Sequence, residues 1–170
     1  EEQYFFRHQM PVSQEELAAE LAIPGADAWS RLQETIFSTL DAPWDEAGGT
    51  RKTLVELRGL ARHPDRSVRE KAYRRELEAL QSMEVPLAAS LNGVKGFAQS
   101  LTRRRGYDES LDQATAQSRI SDAALSALIQ AMGEALPDFR RYLRAKARVL
   151  GLEQLAFYDL FAPLPNDATS

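Results

Sequence analysis

Apolar residues recur along this chain at steps of three and four, the spacing that sets side chains on one face of an α-helix. Trp29, Leu32, Ile36, Phe37 and Leu40 give an amphipathic helix that ends before Pro43. Ahead of it, Ser13 and Glu16 have the spacing of a capping box, Leu17, Leu21 and Ile23 follow, and Pro24-Gly25 stops the helix. Ala47-Gly48-Gly49 reads as loop, and Thr53 to Ala61 as a third, short helix. From Asp65 the pattern lengthens through Val68, Ala72, Leu77, Leu80, Leu87, Leu91, Val94, Ala98 and Leu101 to the Arg103-Arg104-Arg105-Gly106 close, with Pro86 as a kink within it. A second long run starts at the Ser121-Asp122 cap and carries Leu125, Leu128, Ile129, Met132, Leu136, Phe139 and Leu143 to a terminating Gly151, with Pro137 as its kink or restart point. Leu152 to Phe161 reads as a last short helix, and Tyr4-Phe5-Phe6 as the end of a strand or an extended lead-in.

One helix from Asp65 to Arg105 spans about 60 Å at about 1.5 Å per residue. A compact globule of this length has a radius of gyration of only about 15 Å. The pattern therefore predicts an all-α fold: an elongated helical lobe with two long antiparallel helices, several short ones and no strand pair. Short helices cover such a hairpin only in part, so some apolar surface should await another part of the molecule.

Composition narrows the function. With 170 residues and 44 % hydrophobic content the chain can bury one sizeable core, as a single domain or a compact piece of one. Its 21 Lys and Arg against 25 Asp and Glu leave a net charge of -4, which does not advertise nucleic acid as partner. The absence of cysteine excludes disulfides and thiolate metal sites and makes a cytoplasmic setting the expectation. No run of about 18 uncharged apolar residues points to a membrane. Glu1 in place of an initiator Met fits a chain cut from something longer.

Candidate chemistry is sparse. The two histidines, His8 and His63, have neither a His-Glu-x-x-His nor a His-x-His spacing, and no nucleophile elbow or phosphate loop is present. Gly93 and Gly96 lie within a helical pattern, where they allow close packing of another helix. The acids Glu15-Glu16 and Asp108-Glu109 read as helix-start residues, and Arg103 to Arg105 with Arg140, Arg144 and Arg148 as helix-end cations rather than an anion grip. Asn92 shares a face with Val85, Ala88 and Ala89, and a buried amide there needs a crossing backbone or a bound peptide as partner. Tyr158-Asp159 either orients a ligand or, the reading preferred here, pins the last helix. The stretch from Leu54 to Leu80 looks like one unit of a HEAT-type solenoid, but solenoids need about three or more stacked units and no second copy appears.

Taken in order, several blocks resemble the oligoendopeptidase F family, zinc metallopeptidases related to thimet oligopeptidase. They are Ser13-Gln14-Glu15-Glu16-Leu17, Ala28-Trp29-Ser30-Arg31-Leu32, Asp65-Arg66-Ser67-Val68-Arg69, Leu91-Asn92-Gly93 and Arg104-Arg105-Gly106-Tyr107. The most telling block runs from Leu136-Pro137 through Arg141-Tyr142-Leu143 and Leu150-Gly151-Leu152 to Tyr158-Asp159-Leu160 and Ala162-Pro163-Leu164. The resemblance implies residues 1–165 as the helical lobe on the N-terminal side of an oligoendopeptidase, with 166–170 a linker or trimmed end. It further implies that this lobe walls a groove for oligopeptide substrates, and that zinc sits in the catalytic lobe of the same polypeptide. No catalytic or metal-binding residue carries over to this sequence. Asn92, Tyr107, Tyr158 and Asp159 are the candidates for groove-facing or lobe-bracing positions. The alternative is a stand-alone HEAT-like interaction module, and a weaker one a nucleic-acid binder using the Arg140 to Arg148 face.

Overall fold

The computed structural model describes residues 8–45 and 49–165. The Tyr4-Phe5-Phe6 run, most of the Ala47-Gly48-Gly49 loop and the 166–170 tail lie outside the described residues. The described residues are mostly helical, as their periodicity predicts: α1 (Val12–Ala22), α2 (Ala26–Thr39), α3 (Leu54–Gly59), α4 (Arg66–Ser82), α5 (Glu84–Arg104), α6 (Ser110–Ser118) and α7 (Asp122–Val149). Among the described residues two 3-10 turns, Leu60–Arg62 and Phe157–Asp159, complete the helical content.

Four local expectations are corrected. The first is the single helix from Asp65 to Arg105, which is two helices, α4 and α5, broken at Met83 (φ -110°, ψ 17°). Pro86 explains the break. In an uninterrupted helix its ring would displace the hydrogen bond to the carbonyl of Ser82, whereas in the first turn of α5 a missing N–H costs nothing. The second is the Ser13 cap. The chain turns into α1 at Pro11, two residues earlier than the box requires, and no side chain caps it. Glu15, not Glu16, reaches back, accepting from the Met10 amide at 3.1 Å.

The third correction is a strand pair where none was expected. β1 (Asp41–Pro43) and β2 (Arg51–Thr53) pair antiparallel, with Ala42 opposite Lys52. Beyond the strand ends the Asp45 carboxylate accepts from the amides of Gly49 (2.8 Å) and Thr50 (2.9 Å). Three-residue strands carry no periodicity to read. The fourth is the segment from Leu152 to Phe161, which is helical only over Phe157–Asp159. Other signals hold: Ser121 Oγ accepts from the Ala124 amide at 3.2 Å, and Gly106 and Gly151 leave their helices at φ +72° and +69°. A capping box also starts α3, between Thr53 and Glu56.

The chain divides into two compact units, residues 1–35 with 85–132 and residues 36–84 with 133–170. In the second, Ala42, Leu54, Leu57, Ala72 and Ala79 form the buried core, with Phe37, Leu40, Trp44, Leu60 and Leu80 packed on it. The α3–α4 pair that looked like a solenoid unit thus closes its core with the hairpin and the end of α2. Trp44 lies under two ammonium groups, those of Lys71 (4.4 Å from the ring centroid) and Lys52 (5.4 Å).

In the first unit, α2 and α5 meet where Trp29 lies on Gly93, so closely that a Cβ at Gly93 would overlap the indole ring. Gly96 has nothing within 4 Å of the equivalent position. The start of α1 is tied to the end of α5 by Arg105, whose guanidinium donates to Glu15 at 2.6 and 3.1 Å. His8 Nδ1 donates to the Arg105 carbonyl at 3.0 Å, and its ring stacks on Tyr107 at 4.0 Å.

Along α7 the apolar face is uncovered: Leu128, Ile129, Met132, Leu136, Phe139 and Tyr142 are each more than half exposed. The two glycines of α5 should answer oppositely to substitution. Gly93→Ala should cost about 1–3 kcal/mol by forcing the indole aside, and Gly96→Ala should be neutral or stabilise by up to about 1 kcal/mol through helix propensity. Urea unfolding of the two variants measures both.

Candidate functional site

The most highly organised polar cluster among the described residues centres on Asp159, which is wholly buried (0 % exposed). A carboxylate stripped of water needs compensating charge and hydrogen bonds. Arg69, itself only 3 % exposed, donates to Oδ1 at 3.0 Å. Arg66 lies against both oxygens at 3.1–3.2 Å, and the Ala156 amide donates to Oδ2 at 3.0 Å. The rest of the Arg69 guanidinium is spent on the carbonyls of His63 (2.8 Å), Pro64 (2.9 Å) and Tyr158 (3.2 Å). One buried ion pair therefore joins the 63–64 turn, α4 and the 156–159 turn.

The sequence places the two arginines where they need an acid. Asp65 caps α4, its Oδ1 accepting from the Ser67 amide at 2.8 Å, and puts Arg66 and Arg69 one turn apart at the helix start. Cations there oppose the helix dipole, and the buried Asp159 carboxylate brought from the 156–159 turn offsets that cost. Burial alone pushes the Asp159 carboxyl up, but Arg66, the Ala156 amide and Arg69 outweigh it and hold the group below its ordinary range. In the first unit, the Arg105 hydrogen bond likewise lowers Glu15.

Tyr158 completes the cluster. Its hydroxyl accepts from Arg66 Nη2 at 3.2 Å, and the same guanidinium lies 5.0 Å from its ring centroid. Tyr73 of α4 meets Phe157 and Tyr158 at 5.5 and 5.9 Å between ring centroids. Beyond them opens a cavity of about 450 Å³, walled by Leu57, Tyr73, Phe157, Tyr158 and Phe161, with Arg58, Arg62, Arg69 and Glu76 as its charged groups. Arg58 donates to Glu76 at 2.6 Å. Behind the cluster Lys146, 7 % exposed on α7, donates to the Leu160 carbonyl at 2.7 Å.

The four sequence candidates fall in two places. Tyr158 and Asp159 share this cluster in the second unit, whereas Asn92 and Tyr107 belong to the first. Tyr107 is buried (7 % exposed) against His8, and Asn92 is exposed on α5 rather than buried as its neighbours suggested. The apolar residues on its face, Val85, Ala88 and Ala89, are exposed too. Sequence reasoning passed over Arg66 and Arg69 as site residues. Their signal was electrostatic: two arginines in the first turns of a helix, where cations oppose the dipole, while the nearby acid Glu70 is engaged by Arg74.

No set of three or more His, Asp or Glu side chains among the described residues is arranged to hold a metal ion. His8 is occupied by the Arg105 carbonyl and the Tyr107 ring, and His63 Nδ1 accepts from the Asp65 amide at 3.1 Å. These donors do not fit a zinc centre, and no chemical step is derived through one. No helix among the described residues is long and apolar enough to cross a membrane.

Comparison with known proteins then gives the family. Residues 59–165 match Peptidase family M3, and the chain belongs to that family. It is 26 % identical over 102 residues to an oligoendopeptidase F homolog of Lactococcus lactis, covering 60 % of this chain and 17 % of that protein. It is 27 % identical over 100 residues to the group B oligopeptidase PepB of Streptococcus agalactiae, covering 59 % and 17 %. The crystal structure of oligoendopeptidase-F from Enterococcus faecium shares the fold, with a TM-score of 0.78 and 22 % identity over 92 % of this chain and 32 % of that one. The chain thus spans about a sixth of the length of the curated relatives it matches.

Removal of the Asp159 charge should be costly, because it strands a buried guanidinium. Asp159→Asn, nearly isosteric, should lose about 3–5 kcal/mol. Arg66→Ala should lose less, since Arg66 is 41 % exposed. Equilibrium urea unfolding reads both. The acid response has a definite sign: a carboxyl lowered on folding stabilises fully above its unfolded value and loses that contribution as pH falls through the folded one. Stability should begin to fall below about pH 4, and Asp159→Asn should make that fall shallower in the same titration.

Proposed function

We propose that this chain forms one wall of the peptide-binding groove of a zinc-dependent oligoendopeptidase. Residues 1–165 act as the helical lobe on the N-terminal side and 166–170 as the link onward. The observation that carries the reading is the match of residues 59–165 to a peptidase family in a sequence with only two histidines and no His-Glu-x-x-His segment. In this reading zinc and the catalytic carboxylates belong to the catalytic lobe of the same polypeptide, and this lobe supplies shape and contacts to an oligopeptide substrate. The uncovered apolar row on α7 supports it, because so large an exposed face suits an interface with further protein. A cytoplasmic setting, on the chain's lack of cysteine, is part of the same proposal.

The four candidate residues divide by burial. Asn92, exposed and carrying both a donor and an acceptor, is assigned to the groove, where it can pair with peptide backbone. Tyr107, Tyr158 and Asp159, engaged in the two internal clusters, are assigned to bracing. The test is a polypeptide that joins this segment to a lobe carrying His-Glu-x-x-His. It should cleave a quenched fluorogenic oligopeptide and spare folded proteins, while this chain alone cleaves neither. In the joined polypeptide Asn92→Ala should raise KM about threefold to tenfold with kcat nearly unchanged. Cleavage by this chain alone, or a joined polypeptide that is folded and metal-loaded yet inert toward peptides, overturns the reading.

A further inference from the structure

We propose that the aromatic cavity of the second unit is an anchoring site for the carboxyl-terminal residue of a peptide: its apolar side chain lies among Tyr73, Phe157 and Phe161, and its free carboxylate pairs with Arg62. The choice of a peptide rests on the groove-wall reading; the choice of a free carboxylate rests on the charges that line the cavity. Its volume, about 450 Å³, lies in the range of sites for small ligands and suits one large side chain with its terminal group. Phe157 and Phe161 are 65 % and 60 % exposed, which leaves two aromatic surfaces open to an incoming apolar group.

Three arginines and one glutamate line this cavity, and they are not equivalent. Arg69 is closed to a ligand, since Asp159 and three backbone carbonyls occupy it. Arg58 is held by Glu76 at 2.6 Å, with its guanidinium 5.3 Å from the Phe37 ring centroid. Arg62 is exposed and pairs with no acid among the described residues, so the cavity carries an uncompensated positive charge beside an apolar wall. A neutral apolar ligand would leave that charge unused, and a cationic one would meet repulsion. A group that unites an apolar side chain with a carboxylate on the same carbon satisfies both, and the last residue of a peptide is such a group.

The experiment titrates the isotopically labelled chain with N-acetyl-Leu-Leu-Phe as the free acid and as the amide, following backbone resonances of residues 157–161 by NMR. The acid should bind about threefold more tightly than the amide, the effect of one solvent-exposed ion pair. Arg62→Gln should bring the acid to the affinity of the amide, Phe157→Ala should weaken both, and Arg75→Gln, outside the cavity, should leave the difference intact. Both cavity side chains to be changed are exposed, so the fold is retained, and dispersed amide resonances verify it. Equal affinity for acid and amide, or resonance shifts away from residues 157–161 only, overturns the assignment. Failure of the groove-wall reading is separate: it appears as absent cleavage in the joined polypeptide and leaves a difference between acid and amide on this chain untouched.

Discussion

The aromatic edge of the second unit depends on one carboxylate. Asp159 has no contact with solvent, and an isolated ionised carboxylate in such a position would cost several kcal/mol. Two guanidinium groups and a backbone amide make the burial tolerable, and in doing so they fix where the 156–159 turn lies against α4. The aromatic wall follows from that fixation. Tyr158 is oriented by Arg66, Phe157 is carried beside Tyr73, and the cavity exists because these rings are held at the edge of the α3–α4 core. The same residues that carry no reactivity thus decide the shape that a ligand would meet.

The first unit reaches order by different means. Its α2–α5 contact is steric, the Trp29 indole on a helix surface left bare by Gly93. Its ionic contact, Arg105 with Glu15, is partly exposed at both ends, so it is worth less than the buried clamp and is more readily screened. Both units therefore hold helices together through a few specific side chains more than through a large core. The many exposed apolar residues along α7 are the counterpart of that small core.

The helices were legible in the sequence because three- and four-residue spacing records which face is buried, and Ser121, Gly106 and Gly151 mark their ends. What was not legible depends on contacts distant in sequence. The 41–43 and 51–53 strands are too short to alternate, and they are held by the Asp45 contact to Gly49 and by Ala42 in the core. The break at Met83 was masked because the apolar phase carries across it, although Pro86 fits better in a first turn than in a helix interior. Tyr158-Asp159 reads in sequence as a pair that orients a ligand or pins the last helix, yet the partners Arg66 and Arg69 lie about ninety residues earlier, and only their place at a helix start hinted at them. Asn92 was misjudged for the opposite reason: apolar neighbours on its face suggested burial, but that face of α5 is open.

The separation between Arg69 and Asp159 also has a consequence in time. The acid follows the arginine by 90 residues, which at synthesis rates of about 5–20 residues per second is a delay of about 5–20 s. Over that interval the hairpin, α3 and α4 can already condense around Leu54 and Leu57, because their contacts are local. The arginines meanwhile face water, where they cost little. The nascent chain is thus spared the penalty of a half-built buried ion pair, and the clamp closes as a late latch on a core that is already in place.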